Sequence, residues 1–239
     1  MRWILLLSVA GCARFEVTHE VELPADGVFN AFLDVDRGDI VYDGTGPERA
    51  FEVAVTTWGS ARSKGRAERR SANNTFGASV YEEWLDVWGR SAVARSGTDV
   101  SVAGPYIFNV EAVTQRGTVS LYDVDGYHTV TASRVEGAGV WGDVDALADG
   151  DGINLEVYPY DGSIVRLETV GDDLVVALPW GLDYDLQIFA DPEYGYEVAD
   201  LGFEDLVLGP DYALGTTRTG SVRVTLLASG GEIIVVEAP

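Results

Sequence analysis

The segment with the clearest potential for chemistry is an acidic loop in the second half of the chain. Asp occupies its first and fifth positions, Gly its sixth and Glu its twelfth, which is the outline of an EF-hand calcium loop. The third position is Leu147, where that loop needs an oxygen ligand, and the segment leads into a strand rather than a helix. We therefore interpret it as a turn with solvated aspartates, and a weak calcium site is the alternative. The ligands of that site would be Asp145, Asp149, Asp151 and Glu156.

Few other residue types in the chain could carry out chemistry. The single cysteine, Cys12, excludes a disulfide framework, a thiolate zinc site and a CxxC redox motif. The two histidines, His19 and His128, have no nucleophile or second metal ligand near them in the sequence. Serine-hydrolase, zinc-protease, P-loop and dinucleotide-binding motifs are all missing. Because 39 residues are acidic, neighbouring carboxylates arise by chance, and we predict no catalytic residue and no cofactor.

Aromatic residues occur in pairs two or four positions apart. Residues two apart in a strand share a face, so such a pair would stack on sugar rings if exposed and would belong to the core if buried. We interpret the pairs as core or half-buried. Tyr158 and Tyr160 are the one pair whose alternation with Ile153, Leu155 and Val157 points outward. The five pairs are Trp84 and Trp88, Tyr106 and Phe108, Tyr158 and Tyr160, Trp180 and Tyr184, and Tyr194 and Tyr196.

The charge balance narrows the class of partner. The chain of 239 residues has 16 Lys and Arg against 39 Asp and Glu, which gives a formal net charge of −23. That field repels a phosphate backbone, so nucleic-acid binding is excluded as a main activity. A hydrophobic content of 46% and an aromatic content of 10% are too high for a disordered acidic tail. The charge therefore belongs to a folded domain.

The first dozen residues have the pattern of a secretion signal. Arg2 precedes an apolar run that is far shorter than the roughly 20 residues needed to span a bilayer, and small residues follow that run. Val9-Ala10-Gly11-Cys12 resembles the bacterial lipobox, and the resemblance implies cleavage before Cys12 and acylation of that residue. Residues 1–11 are then a lipoprotein signal peptide, and residues 12–27 an N-terminal anchor segment. The alternative is a buried N-terminal strand with a chance cysteine.

The rest of the chain alternates apolar and polar residues. Every second residue is apolar in Leu182–Ile188, Ile153–Val157 and Val222–Leu226, as expected for short strands with one buried face. The exception is Ser60–Ala72, which is rich in Ala and Arg and lacks β-branched residues, so a short helix is predicted there. Its basic side chains form either a docking patch for anionic lipid or a solvated face that pairs with the acidic remainder. They are Arg62, Lys64, Arg66, Arg69 and Arg70.

A glycine followed by a polar residue and then branched apolar residues recurs along the chain. Examples are Gly38-Asp39-Ile40, Gly142-Asp143-Val144 and Gly231-Glu232-Ile233. Glycine accommodates the corner, and the apolar residue then turns inward. A unit this short buries its apolar row only against stacked copies. The pattern predicts an all-β fold, a single-stranded parallel β-helix (β-solenoid) with one short helical insertion, and the alternative is a β-sandwich.

Residues 28–239 resemble the bacterial putative-adhesin β-solenoid family, whose members repeat a Ser/Thr-Gly-Asp-Val/Ile unit. The matching segments are Asp36–Ile40, Ser60–Ala72, Ala103–Pro105, Val175–Pro179 and Ser229–Ile233. Residues 120–160 depart most from the family pattern, with aromatic and acidic residues in place of the usual Thr-x-Ser-Gly-Asp. The resemblance implies a β-solenoid adhesin-like domain at the cell surface and supplies no catalytic residue.

Together these patterns predict a non-enzymatic lipoprotein of the bacterial cell envelope. Cys12 would anchor it in the membrane, and Ala13 in place of Asp after the cysteine indicates the outer membrane, by resemblance to Gram-negative lipoproteins. The acidic solenoid would serve adhesion, binding or a scaffolding role toward an envelope protein or glycan. The alternatives are a carbohydrate-active enzyme on a β-helix and an envelope-sensing accessory protein.

Overall fold

The computed structural model of the chain describes residues 12–106 and 108–239. Within them the chain forms seventeen β-strands and one α-helix. It divides into two compact units, and the division falls between Thr118 and Val119. In the described part of the chain, no helix is long and apolar enough to cross a membrane. The predicted signal peptide, residues 1–11, lies outside the described residues.

The first unit combines parallel and antiparallel pairing. Its elements are β1 (Ala13–Pro24), β2 (Asn30–Val35), β3 (Ile40–Asp43), β4 (Ala50–Ala61), α1 (Lys64–Ala72), β5 (Thr75–Tyr81), β6 (Trp84–Arg90), β7 (Ser96–Ala103) and β8 (Asn109–Thr114). β2 pairs in parallel with β6 and with β8, and β3 pairs in parallel with β7. Antiparallel pairing joins β4 to β7 and to β1, and β5 to β6.

The core of the first unit follows from the alternation of its strands. In β2, Ala31, Leu33 and Val35 are fully buried, and the residues between them are half-buried. Because β2 lies between two parallel neighbours, Ala31 is in register with Leu85 of β6 and with Val110 of β8, which are also buried. Each leucine or valine side chain buried in this way contributes roughly 1.5–3 kcal/mol.

The second unit consists of strands alone. They are β9 (Thr118–Tyr158), β10 (Ile164–Val170), β11 (Leu174–Leu178), β12 (Tyr184–Phe189), β13 (Tyr196–Val198), β14 (Asp205–Leu208), β15 (Tyr212–Thr216), β16 (Val222–Ser229) and β17 (Ile233–Glu237). β10 lies between β9 and β16, and β11 between β9 and β17, all in parallel. β12 adds in parallel to β16, and β13 to β17. The β14–β15 hairpin adds antiparallel to β12.

The recurrent glycine-acidic unit has a structural role at the strand corners. The Asp39 carboxylate accepts a hydrogen bond of 2.8 Å from the Thr118 amide, where β9 begins. In the second unit, Asp143 accepts one of 2.9 Å from the Ile164 amide at the start of β10. Asp173 likewise accepts the Glu232 amide, just before β17, at 2.9 Å. These carboxylates satisfy backbone donors at strand starts, so part of the acidic composition stabilises the fold.

An all-β fold with one short helix is confirmed, and the helix, Lys64–Ala72, lies inside the predicted range of 60–72. Ser60 and Ala61 instead end β4, because they continue its antiparallel ladder with β1. The ladders mix parallel with antiparallel pairing, which is consistent with the sandwich-like alternative. The parallel β-helix is not confirmed and stays a prediction.

Candidate functional site

Three aromatic side chains meet on the surface of the second unit. The Trp141 ring stacks on the Tyr158 ring with centroids 4.6 Å apart and planes inclined by 18°. The Tyr160 ring lies 6.0 Å from Trp141, tilted by 32°. Trp141 and Tyr158 are half-buried, whereas Tyr160 exposes 46% of its surface. We call Trp141, Tyr158 and Tyr160 the aromatic cluster.

Two carboxylates border the aromatic cluster. The Tyr160 hydroxyl donates a hydrogen bond of 2.8 Å to Asp125 Oδ2. The Tyr158 hydroxyl donates to Glu156 Oε1. This hydrogen bond, together with desolvation and the Glu156 charge, raises the pKa of Tyr158 to about 12, so its hydroxyl stays protonated at neutral pH. The cluster therefore combines apolar ring surface with fixed hydroxyl and carboxylate groups, the combination that binding sites for polar organic ligands use.

His128 lies in the core behind the aromatic cluster. It is fully buried, and its Nε2 lies 3.2 Å from the Trp141 carbonyl oxygen, an acceptor, so Nε2 carries the proton and donates. Within the described residues, Nδ1 has no hydrogen-bond partner. Desolvation lowers the pKa of His128 from 6.5 to about 4, against the opposing effects of Asp125 and Asp143. The histidine is a neutral core residue that supports the Trp141 backbone.

The pairing of successive strand segments brings these residues together. Asp125, Trp141 and Tyr158 follow one another at intervals of 16 and 17 residues. The same interval separates Gly137 and Gly142 from the carbonyl groups that they face, those of Leu121 and Gly126. The pairwise spacing of aromatics in the sequence identified Tyr158 and Tyr160 but missed Trp141 and Asp125. The signal that could have found them is an interval of about one repeat rather than of two residues.

The remaining aromatic pairs divide between surface and core. Phe108 and Tyr184 are buried, and their partners Tyr106 and Trp180 are exposed. Trp84 and Tyr194 are exposed, and the second members of those pairs, Trp88 and Tyr196, are half-buried. The prediction of core or half-buried side chains therefore holds for one member of each of these pairs. Trp84 and Trp88 share the outward face of β6, whereas the exposed members of the other three pairs lie in turns or loops beside a strand.

A carboxylate with an arginine nearby occurs in the first unit. Asp99 Oδ1 accepts hydrogen bonds from the Trp58 indole at 2.9 Å and from the Asp39 amide at 3.1 Å. Burial raises the pKa of the Asp99 carboxyl, although those two donors oppose the shift. Arg14 Nη2 lies 3.6 Å from Oδ2, and its guanidinium lies over the Trp58 ring at 4.8 Å. Oδ1 already accepts two hydrogen bonds, so the Asp99 carboxyl is not a free acid. Its contacts with Trp58 and Arg14 instead join β7 to β4 and to β1.

The carboxylates of the calcium hypothesis do not form a cage. Across residues 12–106 and 108–239, no group of three or more His, Cys, Asp or Glu side chains is arranged to hold a metal ion. The four residues, Asp145, Asp149, Asp151 and Glu156, all lie in β9, where an extended backbone separates them by about 3.3 Å per residue. Glu156 instead accepts the Tyr158 hydroxyl.

The N-terminal residues enter the sheet at once. Cys12 is exposed, and β1 begins at the next residue. Within the predicted anchor segment 12–27, residues 13–24 pair with β4 along the whole of β1. His19 lies in β1, exposed, with its ring 4.7 Å from that of Phe76. Acylation of Cys12 stays a prediction.

A shallow depression lies over β1, β4 and β7. Its volume is about 520 Å³, and Glu20, Glu22, Glu52 and Ser101 contribute its polar groups. The glutamates repel anions, and none of the lining side chains is aromatic. The depression therefore offers fewer kinds of group for binding a ligand than the aromatic cluster does.

No protein-family model and no curated protein sequence matches the chain. The fold is similar to that of a solved putative cell adhesion protein from Clostridium sporogenes, with a TM-score of 0.52 and 10% identity over 94% of this chain and 100% of that one. A putative adhesin and a putative lipid binding protein, both from Parabacteroides distasonis, align at 9% identity over 91% and 93% of this chain and 97% of each of theirs. Their TM-scores, 0.27 and 0.28, support no further conclusion. At these identities the likeness to the Clostridium protein shows the fold alone.

Proposed function

We propose that the chain is a non-enzymatic binding protein of the bacterial cell envelope and that the aromatic cluster binds a carbohydrate. The observation that carries the proposal is the stacked Trp141–Tyr158 pair with the exposed Tyr160 beside it. Sugar rings present a face of C–H groups that packs on aromatic rings, and hydroxyl groups at the rim that donate to carboxylates. Asp125 and Glu156 supply those acceptors at the edge of the cluster.

We also propose that each unit is a β-solenoid. In the second unit, segments of the long strand β9 lie against one another at an interval of 16 residues, as the close approach of Gly137 to the Leu121 carbonyl group indicates. β10 and β11 then stack in parallel on β9, and β16 and β17 stack on them in turn. Such stacking supports successive coils, each of which buries its aliphatic row against the next.

We further propose that the protein is a lipoprotein anchored through acylated Cys12, in the outer membrane. The lipobox-like Val9-Ala10-Gly11-Cys12 supports this, as does the exposure of Cys12 at the very start of β1. The likeness in fold to a putative cell adhesion protein fits an envelope location. More than one acyl chain provides the stable attachment that a single chain does not.

Replacing Trp141 with alanine is expected to weaken glycan binding by about tenfold or more, because the variant loses the central ring of the cluster. A bacterial glycan array identifies the ligand, and titration calorimetry then compares the variant with the native protein. The matched control is W180A, since Trp180 is 65% exposed in the same unit and lies outside the cluster. Equal losses in W141A and W180A would contradict the proposal. So would the release of reducing ends from the bound glycan, which favours a carbohydrate-active enzyme.

Replacing Cys12 with serine is expected to abolish incorporation of labelled palmitate and to move the protein from the membrane fraction to the soluble fraction, because a hydroxyl is a poor substitute for the acylated thiol. Wild type and variant are compared by labelling and fractionation in a Gram-negative host. The control is A13S, which introduces the same side chain one residue later and keeps the thiol. Wild-type protein without any acyl mass would refute the anchor.

A further inference from the structure

The helix α1 lies at the same end of the first unit as Cys12. β1 and β4 run antiparallel, and the last pair of their ladder is Ala13 with Ala61. Cys12 precedes Ala13 and Arg62 follows Ala61, so these two residues lie side by side beyond the end of the ladder. Lys64 opens the helix two residues later. The most basic segment of the chain therefore begins next to the predicted site of acylation.

The packing of α1 fixes which of its side chains face solvent. Ala67 and Ser71 are buried, one helical turn apart. The Ser71 hydroxyl donates to the Thr57 carbonyl oxygen at 2.9 Å. Two residues after Thr57 in β4, Gly59 allows the helix to approach the strand closely, because a Cβ at that position would collide with the Ala67 carbonyl oxygen. The helix thus lies tightly on β4 along one stripe and is held rigidly.

The opposite face of α1 carries unpaired positive charge. Three basic side chains of α1 and one just before it are exposed. We call these four residues the basic helix surface: Arg62, Lys64, Arg66 and Arg69. None of the ion pairs within the described residues involves them. Glu68 is the only acidic residue in α1. In a chain of net charge −23, four exposed cations concentrated on one short segment create a local positive field that attracts an anionic surface outside the molecule.

We propose that the basic helix surface binds the anionic lipid headgroups of the membrane in which acylated Cys12 is anchored. The proposal rests on the proposed lipidation, which places this end of the first unit at the bilayer. Basic residues near an anionic leaflet attract it, and a polybasic patch is the common second signal beside an acyl chain. Because α1 is fixed on β4, the contact also sets the orientation of the first unit on the membrane. The repulsion of the acidic remainder then favours this single orientation.

The test measures binding of non-acylated full-length protein to vesicles, so that the anchor does not contribute. All proteins carry C12S, and residues 1–11 are common to them and cancel in the comparison. The vesicles contain phosphatidylglycerol and phosphatidylcholine in equal parts, or phosphatidylcholine alone. The test variant is R62Q/K64Q/R66Q/R69Q. The control variant, R49Q/R116Q/R218Q/R223Q, removes the same charge from four exposed arginines elsewhere.

We expect the C12S protein to bind the phosphatidylglycerol vesicles at about 0.01 M salt and to lose binding at about 1 M salt. The test variant should bind at least about tenfold more weakly, and the control variant should bind like its parent. Equal losses in both variants, or equal binding to phosphatidylcholine alone, would overturn the proposal. These outcomes are independent of palmitate labelling of the wild type, so a failure of the anchor and a failure of the basic helix surface are distinguishable.

Discussion

Replacing Gly38 with alanine is expected to destabilise the first unit by about 4 kcal/mol. Gly38 has a φ of +139°, which disfavours any side chain, and an added Cβ would collide with the Thr98 carbonyl oxygen. The position cannot relax easily, since the Gly38 amide donates to Arg116 at 3.0 Å and its carbonyl accepts the Thr114 hydroxyl at 2.9 Å. The corner therefore combines backbone strain with overpacking.

Urea unfolding of the wild type and two glycine variants measures this effect. The control is G27A, because Gly27 also has a positive φ, +79°, but faces open space in the same unit. G27A should cost only the backbone strain, about 1–2 kcal/mol. If the two variants lose the same stability, the backbone collision at Gly38 is not the dominant cause, and the strands at this corner are not packed as described.

Acidification from pH 6.5 to pH 4 is expected to remove about 3 kcal/mol of stability through His128 alone. Desolvation lowers the pKa of the folded histidine to about 4, whereas its ordinary value is 6.5. The unfolded chain therefore binds a proton before the folded chain does as the pH falls. The contribution is fully present above pH 6.5 and is lost progressively down to pH 4.

The variant H128Q isolates this contribution, because an amide keeps a donor for the Trp141 carbonyl and does not titrate in this range. Chemical denaturation at several pH values gives the slope of stability against pH for the wild type and the variant. All other titratable groups are common to both proteins, so their contribution cancels in the difference. A slope that H128Q leaves unchanged would contradict burial of a neutral imidazole.

Local patterns in the sequence were sufficient to predict the all-β class and the single helix. Alternation is a property of each strand on its own, so the buried rows of β12 and β16 could be read directly from residue types. The helix was predictable because Lys64–Ala72 lacks β-branched residues. The Gly-Asp units were recognised as corners, but the particular amides that Asp39, Asp143 and Asp173 accept depend on which strands become neighbours.

The aromatic cluster was only half predictable for the same reason. Tyr158 and Tyr160 lie two residues apart, whereas Trp141 and Asp125 reach them through strand pairing at longer intervals. Register is set by the apolar rows and turns of the whole unit, and a shift of one residue would send every side chain to the other face. The antiparallel ladder of β1 with β4 likewise depends on pairing across about half of the first unit.

The immediate start of β1 after Cys12 has a mechanical consequence for an acylated protein. An extended linker between an acylated residue and a folded domain adds about 3.3 Å of reach per residue. Here no linker residue separates Cys12 from the sheet, since Ala13 is already paired with Ala61. The first unit of an acylated protein would therefore stay in contact with the lipid headgroups and could not move away from the membrane surface. Partners would then be met by lateral diffusion in the plane of the bilayer, or would have to come to the surface themselves.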